Sequence, residues 1–312
     1  MVNEAAAWRV HPEGAVFSEW AAPDGFPLRR MDWAPAGRGK GRGSLLFVNG
    51  RGDFIEKYLE SYAHFQGQGW HVTSFDWRGQ GASRGPGEEK AWASFDVLVD
   101  DLEALIADWR AAGPGPHVVL GHSMGGHLVL RALVDRKPAV DAAVLTAPML
   151  DVNSAPIPIR IAPDVADTMY WLGFGNVPMW KTPPSMLAPG GRRNRNLTGS
   201  RARYEDELHW WGVEPGFNIG PPSFGWMRAA FRSRAATFTA ERLGRVTLPI
   251  LIVGAEQDRL VSAAAIREAA ALLPNATLVM MPDAAHEILR DDDPVRDEAL
   301  ARIDAFLAGL KG

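Results

Sequence analysis

The chain has 312 residues, 46% hydrophobic and 22% charged, with a net charge of -4 and no cysteine. That balance belongs to a soluble globular protein and excludes bulk disorder. It offers no general attraction for nucleic-acid backbones, and without thiols neither a disulfide framework nor a thiolate metal site can form.

The opening MVNEAAAWRVHPEG has no basic region followed by an apolar core, so no export signal is expected. No stretch reaches the ~18 apolar residues needed to cross a bilayer, and a cytoplasmic location is expected. The sequons at Asn196 and Asn275 therefore read as chance matches. Two short β-like runs, AVFSEW and LRRMDW, lead into the loop APAGRGKGRG. In that loop Gly39-Lys40 is followed by Gly41 where a phosphate-binding loop needs Ser or Thr, so a flexible surface hairpin is the better reading.

From Ser44 the pattern alternates. SLLFVNG reads as a buried strand, and Lys57 to Gln68 as a helix with Tyr58, Tyr62 and Phe65 on one face. HVTSFD is the next strand. Phe95 to Ala112 is a helix that puts Leu98, Leu102, Leu105 and Trp109 on one side and stops at GPGP. HVVLG, a helix from Met124 to about Arg136, and AAVLTAP follow. Short apolar strands separated by amphipathic helices imply an α/β domain with a mostly parallel sheet covered on both faces.

The rhythm breaks at Asp151. Residues 151–242 hold Trp171, Trp180, Trp210, Trp211 and Trp226 among many Pro, Arg and Gly, and read as an inserted lid between a first core segment, 1–150, and a second, 243–312. In the second, LPILIVG and ATLVMM are strands, Ala263 to Leu273 is a helix, and a last helix is expected to be capped by Asp293 with Pro294 at its first position.

Within this order, VVLGHSMGG supplies strand, sharp turn and helix around Gly121-His122-Ser123-Met124-Gly125, the pattern of a nucleophile elbow. The pattern alone is weak; its position between a strand and a helix raises it. A neutral serine is a poor nucleophile and requires a base, a group that orients the base, and oxyanion donors. Asp258, just past LIVGAEQ, is the expected acid, with Glu256 and Asp151 as rivals. Of the eight histidines, His286 alone follows a late strand and is the expected base. The backbone N–H groups of Met124, at a helix N-terminus, and Arg51, after LLFVNG, are the expected oxyanion donors. Since the base must be neutral, activity should climb as pH rises through about 6 to 7.

Assembled in this order, the residues resemble the serine α/β-hydrolase superfamily, and within it the monoacylglycerol lipase and lysophospholipase group. FDWRGQGAS at 75–83 looks like that group's Asp-x-Arg-Gly-x-Gly-x-Ser segment, GHSMGG like its elbow, and GAEQDRLV and AAHEIL like its acid and histidine loops. NRNLTGSRARY at 194–204 is similar to the lysophospholipase branch. Many members carry His-Gly before the first oxyanion donor, where this chain has Asn49-Gly50. The resemblance implies hydrolysis of single-chain lipid esters by water through an acyl-enzyme, with no cofactor, no metal and no nucleic-acid partner. Asp76 is read as the anchor of a turn.

Trp171, Trp180 and Trp226, with Met169, Met179 and Met227, could line an acyl channel, although a structural place in the lid's own core is the commoner fate of such residues. Arg192, Arg193, Arg195, Arg201 and Arg203 could meet a lipid phosphate, or an anionic membrane surface in transient contact with the lid, although such runs are more often solvated. Other activities on the same machinery stay open: short-chain carboxylesterase, C–C bond hydrolase, peptidase or perhydrolase. So does a triad-retaining ligand-binding protein.

Overall fold

The computed structural model describes residues 8–37, 41–154 and 157–310. Residues 38–40 of the glycine-rich loop, including Gly39 and Lys40, lie outside the described residues. Eight strands form one sheet: β1 (Ala15–Ala21), β2 (Pro27–Trp33), β3 (Gly43–Val48), β4 (Trp70–Phe75), β5 (His117–His122), β6 (Ala142–Thr146), β7 (Ile250–Ala255) and β8 (Ala276–Met281). Their order is β1-β2-β4-β3-β5-β6-β7-β8, antiparallel for β1/β2 and β2/β4 and parallel from β4 onward.

Helices of eight residues or more are numbered α1 (Leu59–Gly67), α2 (Asp96–Ala112), α3 (Met124–Asp135), α4 (Ala162–Met169), α5 (Arg201–Val213), α6 (Phe224–Thr237), α7 (Ala263–Leu272) and α8 (Asp293–Ala308). The inner strands are apolar throughout because both faces are covered, and successive side chains enter opposite cores. Leu46, Val119, Leu145 and Ile252 pack with Leu102 and Trp109 of α2, Leu128 of α3 and Ile266 of α7. Their neighbours Leu45, Phe47, Val144 and Val253 pack on the other side with Tyr62 and Phe65 of α1 and Leu300 and Ile303 of α8.

Two helix starts differ from expectation. The segment from Lys57 is first a 3-10 turn, Ile55–Tyr58, and becomes α-helical at Leu59. The last helix is entered from Asp292, so Asp293 is its first residue and Pro294 its second; no side-chain cap bond is made there. Proline still lies in the first turn, where its missing N–H costs nothing.

Between β6 and β7 the described residues contain helices and short turns and add no strand to the sheet. This segment, the one read from the sequence as an insertion, includes α4, the short helix Arg192–Leu197, α5 and α6. Its segment from 159 to 180 carries an apolar exposed surface, with Trp171 73% and Leu172 65% exposed beside Ile161, Phe174 and Trp180.

Candidate active site

The turn from β5 into α3 puts Ser123 at φ 51°, ψ -116°, a conformation unfavourable for any residue with a Cβ. Close packing holds it there. A Cβ on Gly121 would lie 2.8 Å from the Gly126 nitrogen, one on Gly126 2.9 Å from Pro148 Cβ, and one on Gly125 would overlap the carbonyl oxygen of Val48. The glycines around Ser123 are therefore sites of backbone contact, and they seat the elbow against β3 and the turn after β6.

His286 comes from the loop after β8 and Asp258 from the loop after β7, both strand ends that face the elbow. His286 Nε2 is 2.9 Å from Ser123 Oγ and Nδ1 is 2.6 Å from Asp258 Oδ2. With the proton on Nδ1, the ring donates to the carboxylate and its Nε2 lone pair accepts from the serine hydroxyl. Asp258 Oδ1 accepts from the amides of Leu260 at 2.7 Å and Val261 at 2.9 Å, which fixes the carboxylate plane. The rivals are engaged elsewhere: Glu256 with Arg267, and Asp151 with Arg234 at 3.1 Å.

Burial disfavours the charged His286 ring, but the adjacent Asp258 charge and its hydrogen bond outweigh this and hold the His286 pKa above its ordinary value. Burial acts on Asp258 in the opposite sense to His286 and the two amides, and the net effect holds its carboxyl below the usual range. His122, with its ring centroid 5.0 Å from that of His286, is pushed down to about 4 by burial and then by its histidine neighbour. It is neutral at physiological pH.

The loop after β3 is braced by side chains that the sequence reading did not assign. Asp53 Oδ2 accepts from the Gly50 amide at 2.8 Å, and Gln80 Oε1 accepts from the Gly52 amide. Among the described residues, the amide between them, Arg51 N–H, has no protein acceptor, and neither has that of Met124. Gln80 belongs to the 75–83 segment, whose Asp76 accepts from the Ile55 and Ala82 amides, each at 2.9 Å, and from Arg29 Nε at 2.7 Å. That segment is a turn anchor, and it also supports the loop of Arg51. Asn49 points into the core, where its amide donates to Phe75 O at 3.0 Å and its oxygen accepts from Tyr62 Oη at 3.1 Å.

Next to these groups is a buried charge cluster. Lys57 Nζ lies 2.6 Å from Asp53 Oδ1, 2.6 Å from Glu287 Oε1 and 3.2 Å from Glu207 Oε1 of α5. Arg193 closes on Glu207 with two bonds of 2.8 Å, and Arg290 pairs with Glu287. The spacings of Asp53 and Lys57, four apart, and of Glu287 and Arg290, three apart, are the local signals; the contacts that join these pairs to each other and to Glu207 and Arg193 are distant in sequence.

Ser123 and His286 open onto a cavity of about 1100 Å³, large enough for a lipid. Trp180, Trp226, Met179 and Met227 line it. Trp171 and Met169 do not: Trp171 stands on the outer surface, where it packs edge-on against Tyr170. Of the five arginines expected to face phosphate or membrane, three are tied to carboxylates: Arg193 to Glu207, Arg201 to Glu205, and Arg203 to Glu60 and Asp293. Arg195 bonds the Gly190 carbonyl, and Arg192 lines the cavity. No group of His, Cys, Asp or Glu among the described residues is arranged to hold a metal.

A mostly parallel eight-stranded sheet, with serine, histidine and aspartate hydrogen-bonded at the C-terminal ends of its strands, defines the serine α/β-hydrolase class. A family profile described as serine aminopeptidase, S33, matches residues 39–293, and the chain belongs to that family. Among characterised proteins it is 27% identical to a probable lysophospholipase L2 of Haemophilus influenzae, over 84% of this chain and 83% of that protein. It is 26% identical to lysophospholipase L2 of Escherichia coli, over 96% and 88%. Among solved structures, a soluble variant of monoglyceride lipase from Saccharomyces cerevisiae in complex with a substrate analog superimposes with a TM-score of 0.75 at 17% identity, covering 97% of this chain and 98% of that one.

Proposed function

We propose that the chain hydrolyses carboxylic esters of single-chain lipids, monoacylglycerols or lysophospholipids, through an acyl-enzyme on Ser123. The observation that carries the reading is the unbroken run of hydrogen bonds from Asp258 through His286 to Ser123, opening onto a cavity with tryptophan and methionine in its walls.

As Ser123 Oγ attacks the ester carbonyl, His286 Nε2 takes the hydroxyl proton and Asp258 stabilises the imidazolium. The carbonyl oxygen becomes an oxyanion held by the free amides of Arg51 and Met124. Collapse expels the glycerol-side alkoxide, which receives the proton from His286. Water then enters, gives a proton to His286 and attacks the acyl carbon, and Ser123 leaves with that proton while the fatty acid departs. The insertion acts as the lid, and its exposed Trp171, Leu172 and Phe174 rest against a membrane surface during substrate uptake, since aromatic and aliphatic groups of this kind favour the interface.

Peptide cleavage from a free N-terminus is less well supported. An α-ammonium needs an available carboxylate, and both acidic side chains lining the cavity, Asp53 and Glu287, are closed around Lys57.

The test is a panel of monoacylglycerols, lysophospholipids, short p-nitrophenyl esters and aminoacyl-p-nitroanilides, run on the wild type and on Ser123→Ala, with fluorophosphonate labelling of Ser123 in parallel. Turnover of the single-chain lipids that vanishes in Ser123→Ala is expected. Preference for short esters with no activity on lipids would overturn the lipid reading, and labelling without turnover would favour a binding protein.

A further inference from the structure

We infer, resting on the lipid-ester reading, that the preferred substrate carries an anionic phosphate beyond the scissile ester, as a lysophospholipid does, and that the Arg51 guanidinium recognises it.

Arginines in this chain are generally matched: Arg29, Arg78, Arg193, Arg203 and Arg290 each face a carboxylate. The cavity departs from this. Arg51, Lys181, Arg192 and Arg259 line it together with Ser123, and among the described residues none has a carboxylate oxygen within 4.0 Å. The acidic groups in the wall, Asp53 and Glu287, do not offset them, because with Glu207 they are already balanced by Lys57, Arg193 and Arg290. Four unneutralised cations around one concave, partly apolar space repel each other and attract an anion from solvent. A neutral monoacylglycerol leaves that charge unmatched, whereas a phosphodiester matches it with oxygens that accept charge-assisted hydrogen bonds.

Arg51 is the best placed of the four. Its own amide is the proposed oxyanion donor, so its side chain starts beside the reacting carbonyl, and in a lysophospholipid only the glycerol carbons separate the ester oxygen from the phosphate. Nη1 donates to Gly220 O at 2.9 Å and the guanidinium carbon stands 5.2 Å from the Trp226 ring centroid. Held by these two contacts, it keeps Nε and Nη2 without a protein acceptor among the described residues. Burial lowers its pKa to about 10, so the group is still charged at neutral pH. Arg192 and Arg259 are exposed at the rim and supply long-range attraction. The competing role for Arg51 is a simple tether of the 218–222 segment to the core, and substrate selectivity separates the two.

The experiment measures kcat/KM for lysophosphatidylglycerol, lysophosphatidylcholine and a 1-monoacylglycerol that share one acyl chain, short enough to remain monomeric so that interface charge plays no part. The wild type is expected to prefer both phosphate esters. Arg51→Met is expected to lower the phosphate-to-neutral ratio of kcat/KM by about tenfold or more, mainly through KM, the loss of a charged hydrogen bond being of that order. Arg51→Lys should keep part of the preference. Should Arg51→Met not fold, Arg51→Gln, uncharged but able to donate a hydrogen bond in place of the one to Gly220 O, reads the same ratio, with a fall of about tenfold expected; an unchanged ratio would refute the inference. A wild type indifferent to the phosphate, or an Arg51→Met that slows all three substrates equally, also refutes it while the lipid-ester reading stands. A wild type that cleaves none of the three although fluorophosphonate labels Ser123 removes both.

Discussion

Replacing Asp258 by Asn tests the proposed triad with almost no steric change. One carboxylate oxygen accepts the amides of Leu260 and Val261 at 2.7 and 2.9 Å, and the other accepts His286 Nδ1–H at 2.6 Å. An asparagine can keep the first pair only by placing its carbonyl oxygen there, which turns its NH₂ toward Nδ1. The flipped amide would set NH₂ against two N–H donors. His286 Nδ1 must then accept, Nε2 carries the proton, and no lone pair faces Ser123. Holding the base in this wrong tautomer costs about 10⁴-fold in kcat in serine hydrolases built this way, about 5.5 kcal/mol of barrier. The pH profile gives a second signature. The base works in its neutral form and its pKa is raised in the wild type, so wild-type activity should rise with pH along a limb above the ordinary histidine value of 6.5. That places the limb higher than the sequence alone suggests. Without the carboxylate charge, the residual activity of Asp258→Asn should rise at lower pH. Steady-state kinetics on a soluble p-nitrophenyl ester between about pH 5 and 9 read both effects. Activity within tenfold of wild type, or an equal loss in Glu256→Gln or Asp151→Asn, would refute the assignment.

Three further outcomes follow from the geometry. Ser123→Gly should abolish turnover yet melt higher than Ser123→Ala, since only glycine relieves the positive φ, a difference of about 1 kcal/mol readable by calorimetry. Gly125→Ala forces a methyl group into the carbonyls of Val48 and Asn49, and urea titration should show a loss of at least about 3 kcal/mol or no folded protein. Lys57→Met leaves Asp53, Glu207 and Glu287 buried together with one cation fewer, and should cost about 3–5 kcal/mol in the same assay.

Much of the core was legible in the sequence because its signals are local. The apolar runs at Leu45–Val48 and Val118–Leu120, the helical spacing of Leu98, Leu102, Leu105 and Trp109, and the glycines around Ser123 each state their environment within a few residues. Asp258 and His286 were reachable because both follow strands, and strand ends of a parallel sheet meet along one edge. The insertion resisted for the opposite reason. Trp171 and Trp180 look alike in sequence and both are exposed on the outside, yet only Trp180 also lines the cavity, because it follows the stretch that bridges Pro178 to Ser223. Arg192 and Arg193 are neighbours and both line the cavity, yet Arg193 closes on Glu207 while Arg192 has no carboxylate partner among the described residues, because adjacent helical residues point about 100° apart. Gln80 and Asp53 were invisible as braces, since what they hold is a backbone amide contributed by another stretch of chain.

The cluster around Lys57 has a bearing on chimeras. Three cationic side chains (Lys57, Arg193 and Arg290) and three acidic ones (Asp53, Glu207 and Glu287) meet in it, with Glu207 and Arg193 contributed by the insertion and the rest by the core. Grafting a relative's counterpart of residues 151–242 onto this scaffold would strand the donor or recipient half of that set unless positions 53, 57, 287 and 290 travelled with it. Recombination between members of the family should therefore succeed only where the crossover respects this electrical seam.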